Sequence, residues 1–228
     1  MDWIDAEVLQ VVQETPLDRS LVLGLRGDAP FHGRPGQHVM LEDPASTAER
    51  RGAYSISSLP GEKDRLEITV RDHGDLGTHF YGLEVGHPLR VKGPRGRFVL
   101  DLEKGQQAVL AAYGPSAAPY RAFVRELRER RHEDPVALLH LVDSRDHVLF
   151  QGELERHAGE CGWFRYTPLL AADPTNPVLE PAVLEALLED RARTIVFACG
   201  ANAFVDDVVT RATAAGLPTE NIRKEKWG

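Results

Sequence analysis

The hydrophobic pattern of this chain changes near residue 104, and that change limits the possible folds more than any other feature. Before it, apolar and polar residues alternate in short runs, which is typical of strands with one buried face. After it, continuous apolar runs alternate with helical periodicity, as in parallel sheets buried on both faces. We therefore predict an antiparallel barrel over residues 1–103 and an α/β domain over residues 104–228.

Six short runs in the first half predict six strands. Clusters of Gly and Pro separate the runs, and many short strands with turns between them favour a small antiparallel β-barrel. The runs are Glu7–Val12, Ser20–Arg26, His38–Glu42, Ala53–Ser57, Leu66–Arg71 and Leu89–Lys92, and the turn clusters are Pro35-Gly36, Pro60-Gly61 and Gly93-Pro94.

Strands and helices alternate in the second half. Buried strands are predicted at Ala108–Ala112, Val136–Val142 and Thr194–Cys199. Apolar residues at helical spacing follow them, with Pro181 at a predicted helix start and Gly216 just beyond a predicted helix end. This alternation predicts a doubly wound parallel sheet.

Composition excludes several classes of function. The formal net charge of -8 argues against a nucleic-acid surface, which needs excess Lys and Arg. No apolar run approaches the roughly 18–20 residues of a membrane helix. The acidic start Met1–Asp5 has neither the basic nor the apolar region of a signal peptide, so a cytoplasmic location is expected. Two cysteines without CxxC spacing predict neither a disulfide framework nor a metal or iron–sulfur site.

A series of short motifs runs through the chain in a fixed order. Together they resemble the motifs of ferredoxin–NADP-reductase-like flavoproteins, and the resemblance covers nearly the whole chain. Each motif alone has little specificity, whereas the ordered set is specific. The motifs are Pro35–Val39, Ala53–Ser58, Gly74–Phe80, Gly93–Phe98, Gly114–Pro119, Cys199–Phe204 and the terminal Ile222–Gly228.

The resemblance implies a flavin site in the first half. Tyr54 is expected to pack against the flavin, Ser55 to reach its N5 atom, and Gly77 and Thr78 to bind a phosphate. The full set of predicted flavin-site residues is Tyr54, Ser55, Ile56, Ser58, Val70, Arg71, Gly77 and Thr78. FAD is favoured, with FMN as an alternative.

The resemblance also implies a nicotinamide-nucleotide site in the second half. Cys199 is expected beside the nicotinamide, Pro119 at the start of a helix facing the pyrophosphate, and Trp227 over the flavin ring. Ser55, Cys199 and Glu225 are the predicted catalytic residues. The predicted nucleotide-site residues are Gly114, Ser116, Pro119, Cys199, Gly200 and Trp227.

The chain departs from the family pattern at both phosphate sites. The resemblance implies Arg where this chain has Gly52. A bulge at Gly52 could restore the direction, or Arg71 could supply the charge; otherwise weaker flavin binding is expected. In the nucleotide loop, Pro115 lacks an N–H group and Ser116 adds a side chain where a close backbone approach is expected.

The resemblance implies a reductase that transfers hydride from NAD(P)H to FAD and electrons to a separate acceptor, such as a ferredoxin or an oxygenase component. NADH is favoured, because Leu170–Asp173 lacks the Ser-Arg pair that binds a 2′-phosphate, although Ser144-Arg145 could serve. Two alternatives stay open: a flavin reductase using free flavin as its substrate, and a non-catalytic binding subunit with a degenerate nucleotide site.

A basic stripe offers a docking surface for an acidic electron carrier. Arg121, Arg125 and Arg128 recur at helical spacing and could steer such a carrier. A solvated helix face, partly neutralised by Glu126 and Glu129, is the favoured interpretation. Some relatives continue into a fused iron–sulfur domain where this chain stops, so we expect a separate next carrier.

Overall fold

A computed structural model describes residues 2–27, 31–58 and 64–227, and it divides the chain into two compact units. The first extends to Leu100 and takes in Ala118–Glu126, while the second comprises Asp101–Ala117 and the chain from Leu127 onward. The domain boundary between residues 103 and 104 stays a prediction. The turn predicted at Pro60-Gly61 lies outside the described residues.

The first unit is an antiparallel barrel. Its sheet has six strands in the order β4-β3-β6-β1-β2-β5. An antiparallel bridge between Ile56 and Ile68 joins the end of β4 to β5 and so connects the two edges of the sheet. The elements are β1 (Ile4–Gln13), β2 (Asp18–Arg26), β3 (His38–Glu42), β4 (Arg51–Ser55), β5 (Arg65–Arg71), α1 (Gly74–Tyr81) and β6 (Pro88–Arg95).

The core of the first unit follows from the alternation seen in the sequence. Strand residues of one parity point inward, and Phe80 of α1 packs against the same cluster. Fully buried side chains of this core are Leu21, Leu23, Val39, Leu41, Ile68, Val70, Phe80 and Val91. The predicted six-stranded antiparallel barrel is confirmed.

A buried ion pair ties β2 to β5. Asp18 has no exposed surface, and Arg71 donates to both of its carboxylate oxygens, at 2.8 and 2.9 Å. The hydroxyl of Thr15 donates to the same carboxylate at 2.6 Å. Bidentate Arg–carboxylate pairs of this kind combine charge with a fixed geometry. The pair therefore uses two of the five N–H groups of Arg71 to hold β2 and β5 together.

The second unit is a parallel α/β sheet in the order β11-β10-β7-β8-β9. Its strands are paired in parallel throughout. The predicted doubly wound fold is confirmed, with two strands, β9 and β11, in addition to the three strong apolar runs. The elements that follow β6 in the chain are β7 (Gln107–Tyr113), α2 (Ala117–Glu129), β8 (Val136–Val142), α3 (Gln151–Glu160), β9 (Phe164–Leu170), α4 (Pro181–Glu185), β10 (Thr194–Ala201), α5 (Asn202–Ala214) and β11 (Ile222–Trp227). Most of α2 belongs to the first unit.

Most helix boundaries follow the predicted signals, but one does not. Pro181 begins α4, and Gly216 lies beyond α5 in the left-handed conformation. The prediction that Pro119 opens a helix is wrong, because α2 begins at Ala117 directly after a 3-10 turn at Gly114–Ser116. Pro119 falls within the first helical turn, where an N–H group has no intrahelical acceptor and its loss costs little.

The order of the parallel strands creates a switch point between β7 and β10. From β7 the chain proceeds outward through β8 and β9, and then returns to the other side of β7 as β10. Loops after β7 and β10 therefore diverge at this point, and open α/β sheets bind their ligands there. Within the described residues, no helix is long and apolar enough to cross a membrane.

We expect Arg71→Met to lower the free energy of unfolding by about 3 kcal/mol, because it leaves the buried Asp18 carboxylate without its counter-ion. Urea unfolding followed by circular dichroism measures the change. Arg65→Met, on the exposed start of the same strand, is the matched control and should cost no more than about 0.5 kcal/mol. Equal losses in the two variants would contradict the assigned role of the ion pair.

Candidate functional site

Strand β4 runs in regular register beside β3 through the region where a bulge was expected. Leu41 pairs with Gly52 and Val39 pairs with Tyr54, without a register shift between them. The predicted bulge at Gly52 is therefore wrong. Because β4 stays regular, Arg51 and Gly52 point to opposite faces, and Arg51 forms ion pairs with Glu42 and Glu49.

Neighbouring side chains fill the space that a side chain at position 52 would need. A Cβ atom on Gly52 would lie 2.8 Å from the Tyr54 ring and 3.0 Å from Leu76 of α1. The Tyr54 ring also packs edge-to-face on Phe80, with ring centroids 5.4 Å apart. Burial raises the pKa of the Tyr54 phenol, which therefore stays neutral. The absence of a side chain at position 52 thus lets α1 pack closely on β4.

The other predicted flavin-site residues lie on or beside β4 and β5. Ser55 is half-buried at the end of β4, one residue beyond Tyr54 and on the opposite face of the strand. The hydroxyl of Ser58 accepts a hydrogen bond from the Glu67 amide at 3.0 Å. Ile56 and Val70 are buried in the barrel core. Their direct contacts with flavin stay a prediction.

The predicted phosphate loop is the amino-terminal part of α1. The cap residue His73 makes no side-chain hydrogen bond to the helix, so no side chain caps the first-turn N–H groups. Thr78 donates its hydroxyl to Asp72 at 2.6 Å. A Cβ on Gly77 would lie 2.5 Å from the Arg71 carbonyl oxygen, so this glycine permits α1 to pack on the end of β5. Phosphate binding by Gly77 and Thr78 stays a prediction.

The nucleotide loop of the second unit is closed by Ser116. Its hydroxyl accepts from the Tyr113 amide at 2.8 Å and donates to the Cys199 carbonyl at 2.6 Å. The expectation that Ser116 stands in the way of a close approach is wrong, because the side chain is turned inward and is 3% exposed. This hydrogen bond joins the turn after β7 to strand β10 at the switch point.

Cys199 and Glu225 lie side by side on β10 and β11. Burial, with a contribution from the nearby Glu225 carboxylate, raises the pKa of the Cys199 thiol, so this residue is a neutral thiol. Burial also raises the pKa of Glu225 to about 7. The pair therefore changes charge near neutral pH through Glu225.

Close packing surrounds the turn that follows Cys199. Gly200 has a φ of +154°, and a Cβ there would lie 3.0 Å from both Tyr113 and Phe204. Trp227 pairs with Ala201 at the end of β11 and is 38% exposed. Gly114, Cys199, Gly200, Glu225 and Trp227 therefore share the carboxyl edge of the second sheet.

Three residues that the sequence reasoning missed support this edge. His140 is fully buried in β8, where its Nε2–H donates to the Gly114 carbonyl at 2.9 Å. The hydroxyl of Tyr113 donates to Asp143 at 2.7 Å. Two signals were present in the sequence: a histidine within an apolar run, and an acid directly after the second parallel strand.

The predicted basic stripe on α2 is neutralised. Arg121 is buried in an ion pair with Glu67, and Arg125 lies 3.8 Å from the same carboxylate. Arg128 pairs with Glu160 at 2.6 Å. A neutralised face, the interpretation that the sequence favoured, agrees with these pairs, although Glu67 and Glu160 supply the charge at these three positions in place of Glu126 and Glu129. Nowhere in the described part of the chain do three or more His, Cys, Asp or Glu side chains cluster as they would around a metal ion.

Comparison with known proteins identifies similar chains. Residues 16–100 match the oxidoreductase FAD-binding domain family. The chain is 27% identical over 232 residues to stachydrine N-demethylase reductase subunit Stc4 of Rhizobium meliloti (strain 1021), covering 94% of this chain and 64% of that protein. It is 25% identical over 236 residues to ferredoxin–NADP reductase B of Sorangium cellulosum (strain So ce56), covering 98% and 97%.

A solved structure extends the similarity to the whole fold. The Amycolatopsis cytochrome P450 reductase GcoB superposes with a TM-score of 0.82 at 28% identity, covering 99% of this chain and 69% of that one. The chain therefore combines an antiparallel barrel that matches an FAD-binding family with a parallel α/β sheet, and it shares this fold with the reductase GcoB. The similarity to a ferredoxin–NADP reductase agrees with the resemblance that the ordered motifs indicate.

We expect Gly77→Ala to destabilise the first unit by about 2 kcal/mol, because the new Cβ would overlap the Arg71 carbonyl oxygen. Gly82→Ala, at the other end of α1, is the matched control, since its Cβ would find neighbours at an ordinary 3.5 Å. Thermal unfolding of the two variants measures the difference. A neutral Gly77→Ala variant that binds FAD poorly would instead favour direct phosphate contact at this position.

Proposed function

We propose that this protein takes hydride from NADH at the carboxyl edge of its second sheet and passes the electrons through FAD to a separate acceptor protein. The observation that carries the proposal is the Ser116–Cys199 hydrogen bond, which joins the turn after β7 to strand β10 at the switch point beside Glu225. Cys199 and Glu225 are the proposed catalytic residues of this edge, and Ser55 is their counterpart in the first unit.

The first unit offers groups that fit a flavin nucleotide. It presents the aromatic ring of Tyr54, the uncapped amino terminus of α1 and the guanidinium of Arg50, whose buried Nε has no hydrogen-bond partner among the described residues. Helix amino termini and arginines are common phosphate ligands. Bound FAD would supply the acceptor for the hydride and then release the electrons to the next carrier.

The second unit offers a turn suited to a dinucleotide. Gly114 adopts a positive φ of 57° at the end of β7, and α2 starts three residues later. We assign the pyrophosphate to this loop, where His140 and Ser116 hold the backbone through hydrogen bonds. A preformed loop loses less conformational entropy when the nucleotide binds.

The charge of Glu225 suits the hydride step. As hydride leaves, the nicotinamide ring becomes positive, and a carboxylate near it stabilises that charge. Because burial raises the pKa of Glu225 to about 7, the carboxylate is charged above that pH and neutral below it. The neutral Cys199 thiol contributes a small, uncharged surface beside it.

NADH is the proposed donor because acidic side chains follow two strands of the second sheet. Asp143 comes directly after β8, and Asp173 follows β9. Hydrogen bonds from Thr175 hold the pKa of the Asp173 carboxyl below its usual range, so it is ionised at neutral pH. Carboxylates repel the 2′-phosphate of NADPH and accept hydrogen bonds from the ribose hydroxyls of NADH.

The acceptor is proposed to be a separate ferredoxin or oxygenase component. The similar Stc4 protein is named as a reductase subunit of a demethylase, which supports a two-component arrangement. We assign the protein to the cytoplasm, where NADH is available.

Anaerobic reduction tests the proposal. We expect purified protein reconstituted with FAD to show a flavin band near ~450 nm that NADH bleaches faster than NADPH does. Binding of FAD with no bleaching by either nucleotide would sink the hydride step. Oxidation of NADH that requires excess, freely exchanging flavin would instead favour the flavin-reductase alternative, which the partial neutralisation of Arg50 by Asp75 supports.

The pH dependence of bleaching tests Glu225. We expect the single-turnover rate with NADH to rise as pH increases through about 7, as the carboxyl ionises. The rate of Glu225→Gln should stay about tenfold below the wild-type rate at alkaline pH, equivalent to about 1.4 kcal/mol, and should not change as pH passes through this range. Glu220→Gln, at an exposed position, is the matched control and should keep the wild-type dependence of the rate on pH. A step that survives in Glu225→Gln would assign the titration to another group.

A further inference from the structure

We propose that Arg50 is the cation that binds the flavin phosphate in this chain, and that Asp75 competes with the phosphate for it. This inference rests on flavin binding by the first unit and concerns how tightly that unit holds flavin. It predicts that Arg50 and Asp75 have opposite effects on the affinity for flavin. Removing one should weaken flavin binding, and removing the other should strengthen it.

Position 52 cannot supply the cation, because neighbouring side chains leave no room for a side chain there. The Tyr54 ring and Leu76 fill the space beside Gly52. Leu76 follows Asp75 in the first turn of α1, so the contact that fills this space also brings Asp75 to β4. Arg50, which directly precedes β4, therefore reaches Asp75 of α1.

The three candidate arginines, Arg50, Arg51 and Arg71, differ in their ion-pair partners. Arg71 is held at two oxygens by the fully buried Asp18. Arg51 pairs with Glu42 and Glu49 on its own face of β4. The Arg50 guanidinium instead pairs with α1, where its Nη1 contacts the carboxylate of Asp75.

Arg50 has a hydrogen-bond donor that the ion pair with Asp75 does not use. Its side chain is 22% exposed, while its Nε is buried and has no hydrogen-bond partner within the described residues. A buried N–H group without a partner is costly, and a phosphate oxygen would satisfy it. The Asp75 side chain is 83% exposed, so it can move away into water when a phosphate arrives.

The competition follows from the position of Asp75. A carboxylate in the first turn of a helix interacts with the same N–H groups and the same partial positive charge that attract a phosphate. Its side chain also neutralises Arg50. Phosphate binding must therefore break the Arg50–Asp75 ion pair, which lowers the affinity for flavin and speeds its exchange.

The test is a titration of flavin-free protein with FAD, followed by quenching of flavin fluorescence. We expect Arg50→Gln to raise the Kd about tenfold or more, as loss of a charged hydrogen bond to phosphate implies. Asp75→Asn should lower the Kd about three- to tenfold. In the double variant, Asp75→Asn should give no gain, because the cation that it releases is absent.

Riboflavin provides the decisive control, because it has the same ring system and no phosphate. Neither substitution should change the Kd for riboflavin. Arg51→Gln, at the neighbouring exposed position, is the matched control and should leave FAD affinity unchanged. Arg50→Lys keeps the charge and should recover part of the lost affinity, and circular dichroism checks that every variant is folded.

Three outcomes would overturn the inference. These are an Arg50→Gln variant with normal FAD affinity, an Asp75→Asn variant that binds FAD more weakly, and equal effects on riboflavin and FAD. The exposed Asp75 can be replaced without disturbing the core, so this arm is informative even if Arg50→Gln fails to fold. Wild-type protein that binds neither flavin would instead refute the proposed function itself.

Discussion

The ion pair between Asp18 and Arg71 fixes the end of β5, and the flavin side of the first unit is arranged from that point. The carbonyl of Arg71 contacts Gly77, and the next residue, Asp72, accepts the Thr78 hydroxyl. The start of α1 is thereby positioned by a charged pair in the barrel wall. Since both Asp18 oxygens bind Arg71, the same pair neutralises the Arg71 charge and weakens its attraction for an anion.

One hydrogen bond has the corresponding role in the second unit. Parallel strands bring the carboxyl ends of β7 and β10 together, but their loops diverge at the switch point. Ser116 joins the turn after β7 to β10 by donating to the Cys199 carbonyl, and His140 holds the Gly114 carbonyl from the adjacent strand. These side chains fix the loop backbone, and a glycine at position 116 could not make the Ser116 contacts.

The sequence pattern predicted both folds because alternation and continuous apolar runs report burial directly, residue by residue. It failed where contacts join distant residues. Nothing local to Gly52 reveals that Leu76 fills its place, and nothing near Ser116 reveals Cys199 as its acceptor. The source of the neutralising charge on α2 was missed for the same reason, since Glu67 of a barrel strand neutralises Arg121. The predicted contacts of the site residues with flavin and nucleotide remain predictions.

Acidic groups beside the anion-binding elements give the two candidate sites a common property. Asp75 forms an ion pair with Arg50, the proposed ligand of the flavin phosphate. Asp143 and Asp173 follow β8 and β9 at the carboxyl edge of the second sheet, where the nucleotide is proposed to bind. A chain with a net charge of -8 already repels polyanions at long range. Local carboxylates add to that repulsion and shorten the residence of each ligand. A reductase that must release NAD⁺ after every turnover gains from fast release, whereas flavin retention depends on how far Arg50 is freed from Asp75.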